Sequence, residues 1–199
     1  MLLGITGTTG AGKTTLLEVI EQQEGEVIDC DLVYHELLKS NKELIDKLKE
    51  HFGTGILTDG KVDTKKLGKE VFGDKDKLQD LINITFPFIT DAVRYRIDTS
   101  QRSLIAIDAP LLFESELQGL CSKTIGVLAP IETRISRIIQ RDNISKEYAL
   151  SRIKSQHQDE YFISRCDYIL INNFGSKEEF GKQSSLLVHD ILKEISTNI

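Results

Sequence analysis

The stretch GITGTTGAGKTT, residues 4–15, places four glycines and a lysine within twelve positions. Glycine loses more backbone entropy on folding than any other residue, so this density is unfavourable unless something must approach the backbone closely. Gly7, Gly12, Lys13 and Thr14 fit the pattern GxxxxGK[ST], which requires a strand before it and a helix after it. Apolar LLGIT precedes the loop and TTLLEVIEQQ follows it. The stretch therefore predicts a phosphate-binding loop that joins a strand to a helix in an α/β fold.

The residue types of this loop suit a nucleoside triphosphate. Backbone N–H groups from Gly10 to Thr14 can converge on phosphate oxygens at the positive end of the following helix. Lys13 would bridge the β- and γ-phosphates, and the Thr14 hydroxyl would ligate Mg²⁺. A tight turn without a ligand would explain one glycine, but not the adjacent lysine and hydroxyl. The predicted ATP contacts in the loop are Thr9, Gly10, Ala11, Gly12, Lys13, Thr14 and Thr15.

Length and composition limit the class of protein. With 199 residues, 40% hydrophobic and 28% charged, the chain suits one globular domain or one domain with an insertion. A formal net charge of -6 argues against general affinity for nucleic acid or anionic membranes. No apolar run approaches the roughly 18 residues of a membrane span, and MLLGITG is too short and uncharged for a signal peptide. We therefore expect a cytoplasmic protein whose three cysteines, without a CxxC pattern, are reduced thiols.

Five short apolar runs alternate with helical patterns along the chain. The runs lack the polar alternation of half-exposed strands, as is typical of strands covered on both faces. They cover 2–6, 26–29, 104–108, 124–128 and 168–171. The helical patterns cover 14–23, 31–52, 64–96 with breaks, 131–140, 146–158 and 177–195. This alternation predicts a five-stranded parallel sheet flanked by helices, with Pro110 and Pro130 just after two of the strands.

The organisation of the chain follows from the same patterns. Positions 32–102 contain no central strand pattern and one glycine-rich turn, FGTGILTDGKVD, so we interpret them as a mainly helical insertion. We predict one domain over 1–199, with a core at about 1–31, 101–130 and 160–199. A helical region at about 32–100 and a lid at about 131–159 complete it.

Acidic residues follow two of the predicted strands. Asp29 and Asp31 in VIDCD end the second apolar run, and Asp108 in LIAIDAPLLFE ends the third. Ligands of open α/β sheets bind beyond the carboxyl ends of strands, so we expect these carboxylates to face the same crevice as the loop. A kinase needs one carboxylate to take the acceptor's proton and another to hold Mg²⁺ directly or through water. Asp29 or Asp31 could instead cap the helix that starts near Leu32, and Glu114 could bind substrate or be a surface charge.

Two further motifs bear on nucleotide binding. In PIETRISRIIQRDN, Arg134, Arg137 and Arg141 share one helix face at i, i+3 and i+7. Such a face suits a lid helix closing over a triphosphate, although a solvated basic face has the same pattern. Asn173 and Gly175 follow the fifth strand, where they could bind a base or simply form a turn.

Together these motifs make the chain similar to the dephospho-coenzyme A kinase family, P-loop kinases of the last step of coenzyme A synthesis. The resemblance runs in order through GITGTTGAGKTT, VIDCDLVYHEL, FGTGILTDGKVDTKKLGKEVFGD, LINITFPFI, IDAPLLFE, RIIQRD, SRIKSQ and INNFGS. The loop alone indicates nucleotide binding, whereas the others together are much more specific. The resemblance implies a five-stranded parallel P-loop kinase core, a helical region that binds the coenzyme A arm, and a mobile lid.

The resemblance also implies residue roles. Asp31, the second Asp of D-x-D, is the proposed base, and Arg137 and Arg141 are lid arginines that contact ATP phosphates. The predicted catalytic set is Asp31, Lys13, Arg137 and Arg141, and the ATP contacts outside the loop are Arg137, Asn173 and Gly175. The predicted acceptor contacts are Asp31, Asp108, Leu111 and Glu114, and the predicted Mg²⁺ ligands are Thr14 and Asp108.

Two positions depart from the family's usual pattern, both on the acceptor side. Phe86-Pro87 stands where members usually have His-Pro, and Asp63-Thr64 where they usually have Asp-Arg. Lys65 or Lys66 are candidates to replace the lost charge, although an ammonium does not reproduce a guanidinium fork.

The leading hypothesis is ATP- and Mg²⁺-dependent phosphorylation of the ribose 3'-hydroxyl of dephospho-coenzyme A. Two alternatives share the loop: a P-loop kinase with another nucleotide or small-molecule acceptor, and a nucleotide-binding regulator without an acceptor. The aspartate pair, the helical insertion and the arginine face favour a kinase, because a simple switch requires none of them. The sequence makes no prediction of the oligomeric state.

Overall fold

The computed structural model describes residues 1–71, 73–173 and 175–197, which separate into two units. Unit 1 consists of Met1–Val27 and Gln101–Ile199, and unit 2 consists of Ile28–Ser100. Each unit has its own cluster of buried apolar side chains.

Strands and helices alternate as the patterns predict. The strands are β1 (Leu2–Gly7), β2 (Glu26–Asp29), β3 (Leu57–Thr58), β4 (Lys61–Val62), β5 (Ile105–Asp108), β6 (Lys123–Leu128) and β7 (Tyr168–Ile171). The α-helices are α1 (Lys13–Gln22), α2 (Cys30–Ser40), α3 (Lys42–Phe52), α4 (Thr64–Val71), α5 (Lys75–Thr99), α6 (Ile131–Asp142), α7 (Lys146–Lys154), α8 (Asp159–Ile163) and α9 (Lys177–Thr197). Short 3₁₀ turns lie at Thr54–Ile56 and Leu117–Leu120.

The five-stranded sheet has the order β2-β5-β1-β6-β7. Strand β1 pairs in parallel with β5 and β6, and β6 pairs in parallel with β7, so the predicted fold class is confirmed. In this register Ile5 lies level with Asp108, and Gly7 lies level with Val127. The carboxyl ends of β1, β5 and β6 therefore meet at one edge, where the phosphate loop begins.

The core of unit 1 explains why its strands read as continuous apolar runs. Leu3 and Ile5 of β1 are fully buried together with Leu16 of α1 and with Phe180 and Val188 of α9. Burying one such side chain contributes about 1.5–3 kcal/mol, so the apolar runs supply much of the driving force for folding.

Unit 2 is mainly helical, with β3 and β4 forming a separate antiparallel hairpin. Its core contains Leu38, Leu44, Leu48 and Leu67. The predicted single helix over 31–52 is wrong, because Asn41 adopts an extended conformation (φ -84, ψ 102) and its Oδ1 accepts the N–H of Leu44 at 2.9 Å. One polar residue that caps the following helix thus divides the segment into α2 and α3.

Other helix boundaries also differ from the sequence pattern. The breaks predicted within 64–96 are present, since this segment forms α4 and α5, but α5 extends beyond the pattern to Thr99. Asp74 starts α5 by accepting the N–H groups of Asp76 and Lys77. The predicted helix over 146–158 is wrong beyond Lys154, where α7 ends, and the unpredicted α8 follows at Asp159. At Asp74, polar capping chemistry rather than apolar spacing determines where the helix begins.

The remaining expectations from the sequence concern the three cysteines and membrane-spanning helices. Cys30, Cys121 and Cys166 are not joined in disulfide bonds, and burial raises the pKa of Cys121 to about 12 and that of Cys166 to about 11. These two thiols are therefore poor nucleophiles. Within the described ranges, none of the helices combines the length and the apolar character needed to cross a bilayer.

Candidate active site

The backbone of the phosphate loop leaves no space for side chains at its glycines. A Cβ on Gly7 would lie 2.1 Å from the carbonyl oxygen of Val127. Gly12 is the N-cap of α1 with φ 105 and ψ 25, and no side chain caps the helix there. The first N–H groups of α1, at the positive end of the helix, therefore have no side-chain cap. Such a helix start is suited to bind an anion.

Two arginines of α6 donate hydrogen bonds to backbone carbonyl oxygens of the phosphate loop. Arg134 Nε donates to the carbonyl oxygen of Thr9 at 3.0 Å, and Arg137 Nη1 donates to those of Gly10 at 3.3 Å and Ala11 at 3.1 Å. Arg134 is only 5% exposed, and burial lowers its pKa, opposed by the charge of Asp159. Arg134 therefore belongs to the structure of the loop rather than to a solvated basic face.

Asn172 completes this set of contacts, and the sequence prediction named its neighbour instead. Its Nδ2 donates to the carbonyl oxygen of Ala11 at 2.8 Å, and its Oδ1 accepts from Arg137 Nη2 at 3.3 Å. Asn173 is exposed. The period of two in β7 is the signal that could have found the correct residue, because Leu170 and Asn172 are both buried and so share one side.

Arg141 lies at the other end of α6 in a different environment. Its guanidinium donates to both carboxylate oxygens of Asp142, at 2.7 Å and 3.0 Å, and Arg152 lies 2.5 Å from the same carboxylate. The Arg141 side chain is 58% exposed. The hydrogen bond from Arg141 lowers the pKa of Asp142 to about 2. The structure thus brings Arg137, but not Arg141, to the phosphate loop among the described contacts.

The other motif residues of the loop occupy the start of α1. Lys13 and Thr14 are its first two residues, and Thr14 is exposed. The N–H of Thr15 donates to the carbonyl oxygen of Gly12 at 3.0 Å, as expected for the first turn of the helix. Gly175, which the sequence prediction also placed near ATP, is exposed between β7 and α9.

The two predicted Mg²⁺ ligands, Thr14 and Asp108, follow neighbouring strands of the sheet. Asp108 ends β5 level with Ile5, while Thr14 lies just beyond the loop that follows β1. Across the described residues there is no group of three or more His, Cys, Asp or Glu side chains that could hold a metal by itself. A hydroxyl, one carboxylate, nucleotide phosphates and water form the kind of site that Mg²⁺ uses in kinases, so these residues fit the predicted ion.

Glu114 is engaged with the segment after α7. Its Oε1 accepts from the Tyr161 hydroxyl at 2.7 Å and lies 2.7 Å from His157 Nε2. The His157 ring stacks on that of Tyr161 with centroids 3.7 Å apart, and Arg165 lies 4.0 Å above the Tyr161 ring. Burial and then the bond to Glu114 raise the pKa of Tyr161 to about 12. Leu111, the predicted acceptor contact three residues before Glu114, is 39% exposed.

The segment after α7 also reaches the phosphate loop. Gln156 Oε1 accepts the N–H of Thr9 at 3.1 Å. Sequence reasoning missed Gln156, His157 and Tyr161, because they follow a helix whose end it had misplaced.

In unit 2, the two aspartates of VIDCD have different environments. Asp29 Oδ1 accepts the N–H of Leu32 at 2.9 Å, so Asp29 is the N-cap of α2, which was one of the two interpretations of the pair. Asp31 is an exposed residue in the first turn of that helix. Of the two carboxylates, Asp31 is therefore the one that its own helix does not use as a cap.

The residues on either side of Thr64, one of the two positions that depart from the family's pattern, have structural roles here. Asp63 caps α4 by accepting the N–H groups of Lys65 and Lys66 at 2.9 Å and 3.1 Å. Lys66 Nζ also donates to the carbonyl oxygen of Leu57, which ties it to the hairpin. Phe86 is half-buried inside α5 next to Pro87.

Comparisons with known proteins cover almost the whole chain. A family model for dephospho-CoA kinase matches residues 1–178. The dephospho-CoA kinase of Latilactobacillus sakei subsp. sakei is 33% identical over 192 residues, which are 95% of each chain. The crystal structure of TT1252 from Thermus thermophilus has a TM-score of 0.79 at 27% identity and covers 95% of this chain and 97% of that one. The dephospho-CoA kinase from Campylobacter jejuni has a TM-score of 0.61 at 26% identity, over 96% of both chains.

Proposed function

The chain belongs to the dephospho-CoA kinase family, and we propose that its phosphate loop holds ATP while Asp31 acts on the acceptor hydroxyl. The resemblance inferred from the motifs is confirmed, because both the family model and a curated relative match over most of the chain. The activity is ATP-dependent phosphorylation of dephospho-CoA, which belongs to coenzyme A biosynthesis.

One observation carries the ATP side of this proposal: the carbonyl oxygens of Thr9, Gly10 and Ala11 accept hydrogen bonds from Arg134 and Arg137 of α6. With these carbonyl oxygens bonded to α6, the N–H groups at the uncapped start of α1 would face the phosphates. Lys13 and the fixed charge of Arg137 then add positive potential to the same place. Phosphoryl transfer is catalysed mainly by such positioning and charge.

On the acceptor side, Asp31 is the proposed base. As the ribose 3'-oxygen forms its bond to the γ-phosphorus, the bond from that phosphorus to the β–γ bridging oxygen breaks and ADP leaves. The proton of the 3'-hydroxyl passes to the Asp31 carboxylate. Because Asp29 caps α2, Asp31 is favoured over it for this role. We also assign Leu111 and Glu114 to the acceptor.

Further assignments concern Mg²⁺ and the outer parts of ATP. Thr14 and Asp108 would hold Mg²⁺, which neutralises phosphate charge when it is bound with ATP. Asn173 and Gly175, exposed after β7, are assigned to the nucleotide. Arg141 would reach the phosphates only after its hydrogen bonds to Asp142 are broken, since its guanidinium now donates to that carboxylate.

An acceptor panel tests the proposed function. Purified protein with Mg²⁺ and ATP is assayed with dephospho-coenzyme A and with nucleosides and nucleoside monophosphates. We expect the highest kcat/KM with dephospho-coenzyme A. A higher kcat/KM for a nucleotide acceptor would identify a P-loop kinase with another substrate instead.

Calorimetry separates the kinase from a regulatory protein that only binds nucleotide. We expect saturable heat when dephospho-coenzyme A is titrated into the protein in the presence of a non-hydrolysable ATP analogue. A titration without saturable heat would favour the regulator, because a switch has no acceptor site.

A further inference from the structure

The side chain of Asn172 is fixed from both ends. It is 3% exposed, and its N–H donates to the carbonyl oxygen of Leu128 at 2.7 Å, which extends the β6–β7 ladder beyond Ile171. Its Nδ2 donates to the carbonyl oxygen of Ala11, and its Oδ1 accepts from Arg137. An amide supplies both a donating NH2 group and an accepting oxygen on a short side chain; Asp has no donor in its ionised form, and Ala has neither. Asparagine is thus well matched to this position.

The carbonyl oxygen of Ala11 is where the two side chains meet. It accepts from Asn172 at 2.8 Å and from Arg137 at 3.1 Å. Because a trans peptide is planar, this oxygen and the N–H of Gly12 point in opposite directions. Two bonds on the oxygen therefore direct the Gly12 N–H away from Asn172. Fixing this peptide before a ligand arrives removes an ordering cost from binding.

Gly12 and Asn172 are also fitted to each other sterically. A Cβ on Gly12 would lie 2.5 Å from Asn172 Nδ2, which is closer than real Cβ atoms come to their neighbours. The positive φ of Gly12 further disfavours any other residue. Position 12 therefore needs a glycine to make room for Asn172 as well as for a ligand.

We propose that Asn172 is a positioning residue that sets the Ala11–Gly12 peptide with its N–H toward the phosphate chain of ATP. The inference deepens the proposed function of the loop and rests on it. Since the side-chain bonds of Asn172 go to Ala11 and Arg137, its effect concerns the phosphates and not the base. Loss of the Asn172 side chain should weaken the binding of ATP and of inorganic tripolyphosphate to the same degree.

The first test is Asn172→Ala, studied by steady-state kinetics and by calorimetry with Mg²⁺-tripolyphosphate. Losing the two side-chain hydrogen bonds of Asn172, and so leaving the buried Ala11 carbonyl less well bonded, predicts about tenfold to one hundredfold weaker binding of tripolyphosphate. The KM for ATP should rise by a similar factor, while the KM for dephospho-coenzyme A at saturating ATP stays within about twofold.

Thr124→Val is the matched control for the loss of a buried polar side chain. Thr124 is 6% exposed near the amino end of β6, and its hydroxyl donates to Asp167 at 2.7 Å. This variant should lower the melting temperature and leave tripolyphosphate affinity within about twofold of wild type. If Asn172→Ala does no more than this control, Asn172 is merely structural and the inference is overturned.

A second variant and a spectrum keep the test decisive if Asn172→Ala does not fold. Asn172→Asp retains the size and an oxygen for Arg137 but loses the donor to Ala11. In ligand-free protein labelled with ¹⁵N-glycine, the Gly12 amide signal should shift in Asn172→Asp and not in Thr124→Val. An unmoved Gly12 signal would contradict the inference. Wild-type protein that fails to bind ATP would instead contradict the proposed function, since this spectrum requires no ligand.

Discussion

Two strand-to-helix junctions of the molecule differ in how the first N–H groups of the helix are capped. Between β1 and α1, the chain inserts a glycine-rich loop and leaves the start of the helix without a side-chain cap. Between β2 and α2 there is no loop, and Asp29 caps the helix itself by accepting the N–H of Leu32. A helix start left uncapped remains available for a ligand, whereas a self-capped start leaves chemistry to a side chain such as Asp31.

The largest effect is expected from Asp31→Asn at the self-capped junction. An amide cannot accept the proton, so turnover should fall by roughly two to four orders of magnitude, in line with general-base contributions. The Kd for ATP should remain close to wild type, because ATP is assigned to the other junction. Rapid-quench kinetics and calorimetry on the same preparation measure both quantities. Near-wild-type turnover would reject Asp31 as the base.

A smaller effect is expected from Gly12→Ala at the uncapped junction. The new Cβ would meet Asn172 Nδ2 at 2.5 Å and impose a side chain at φ 105. We expect about tenfold to one hundredfold weaker ATP binding by calorimetry, because the loop must distort. Gly60→Ala is the control: Gly60 has φ 77, and a Cβ added there would have no neighbouring atom within 4 Å among the described residues.

That control isolates backbone strain from the loss of loop geometry. Gly60→Ala should cost about 1–2 kcal/mol of unfolding free energy, as expected for an alanine at positive φ, and leave ATP affinity unchanged. Equal ATP affinity in the two variants would show that the space around Gly12 does not matter for the ligand.

Asp29→Ala should affect stability more than ligand binding. Removing the N-cap of α2 is expected to lower the unfolding free energy by about 1 kcal/mol, measured by urea denaturation. Asp29→Ser retains a capping oxygen and should restore most of the loss. If Asp29→Ala leaves stability unchanged, the contrast between the two junctions is wrong.

The smallest effect concerns pH and the far end of α6. The pKa of Asp142 is lowered to about 2 by the hydrogen bond from Arg141 and then by Arg152, so its stabilising contribution is fully present above its ordinary pKa near 3.8. It is lost as pH falls toward 2. The difference in melting temperature between wild type and Asp142→Asn should therefore be constant from pH 5 to pH 8 and shrink below about pH 4. A difference that grows in acid would contradict this.

The sequence predicted the parts of the site that depend on local chemistry. The glycine spacing of the loop, the lysine and the strand ends are readable because neighbours along the chain determine them. Arg134 and Asn172 were not assigned to the loop, since their partners lie far away in sequence. The residues alone allowed either Asp29 or Asp31 to be a helix cap, the resemblance implied that Asp31 is the base, and the hydrogen bond from Leu32 identifies Asp29 as the cap. The division of the helical segment at Asn41 was missed because a capping side chain, not apolar periodicity, decides it.

The fate of the γ-phosphoryl group tests the central claim most directly. In a single turnover with γ-labelled ATP, Mg²⁺ and dephospho-coenzyme A, the account predicts that the label appears in the 3'-phosphate of coenzyme A, with ADP formed in equal amount. Label recovered only as inorganic phosphate, with dephospho-coenzyme A unchanged, would contradict it.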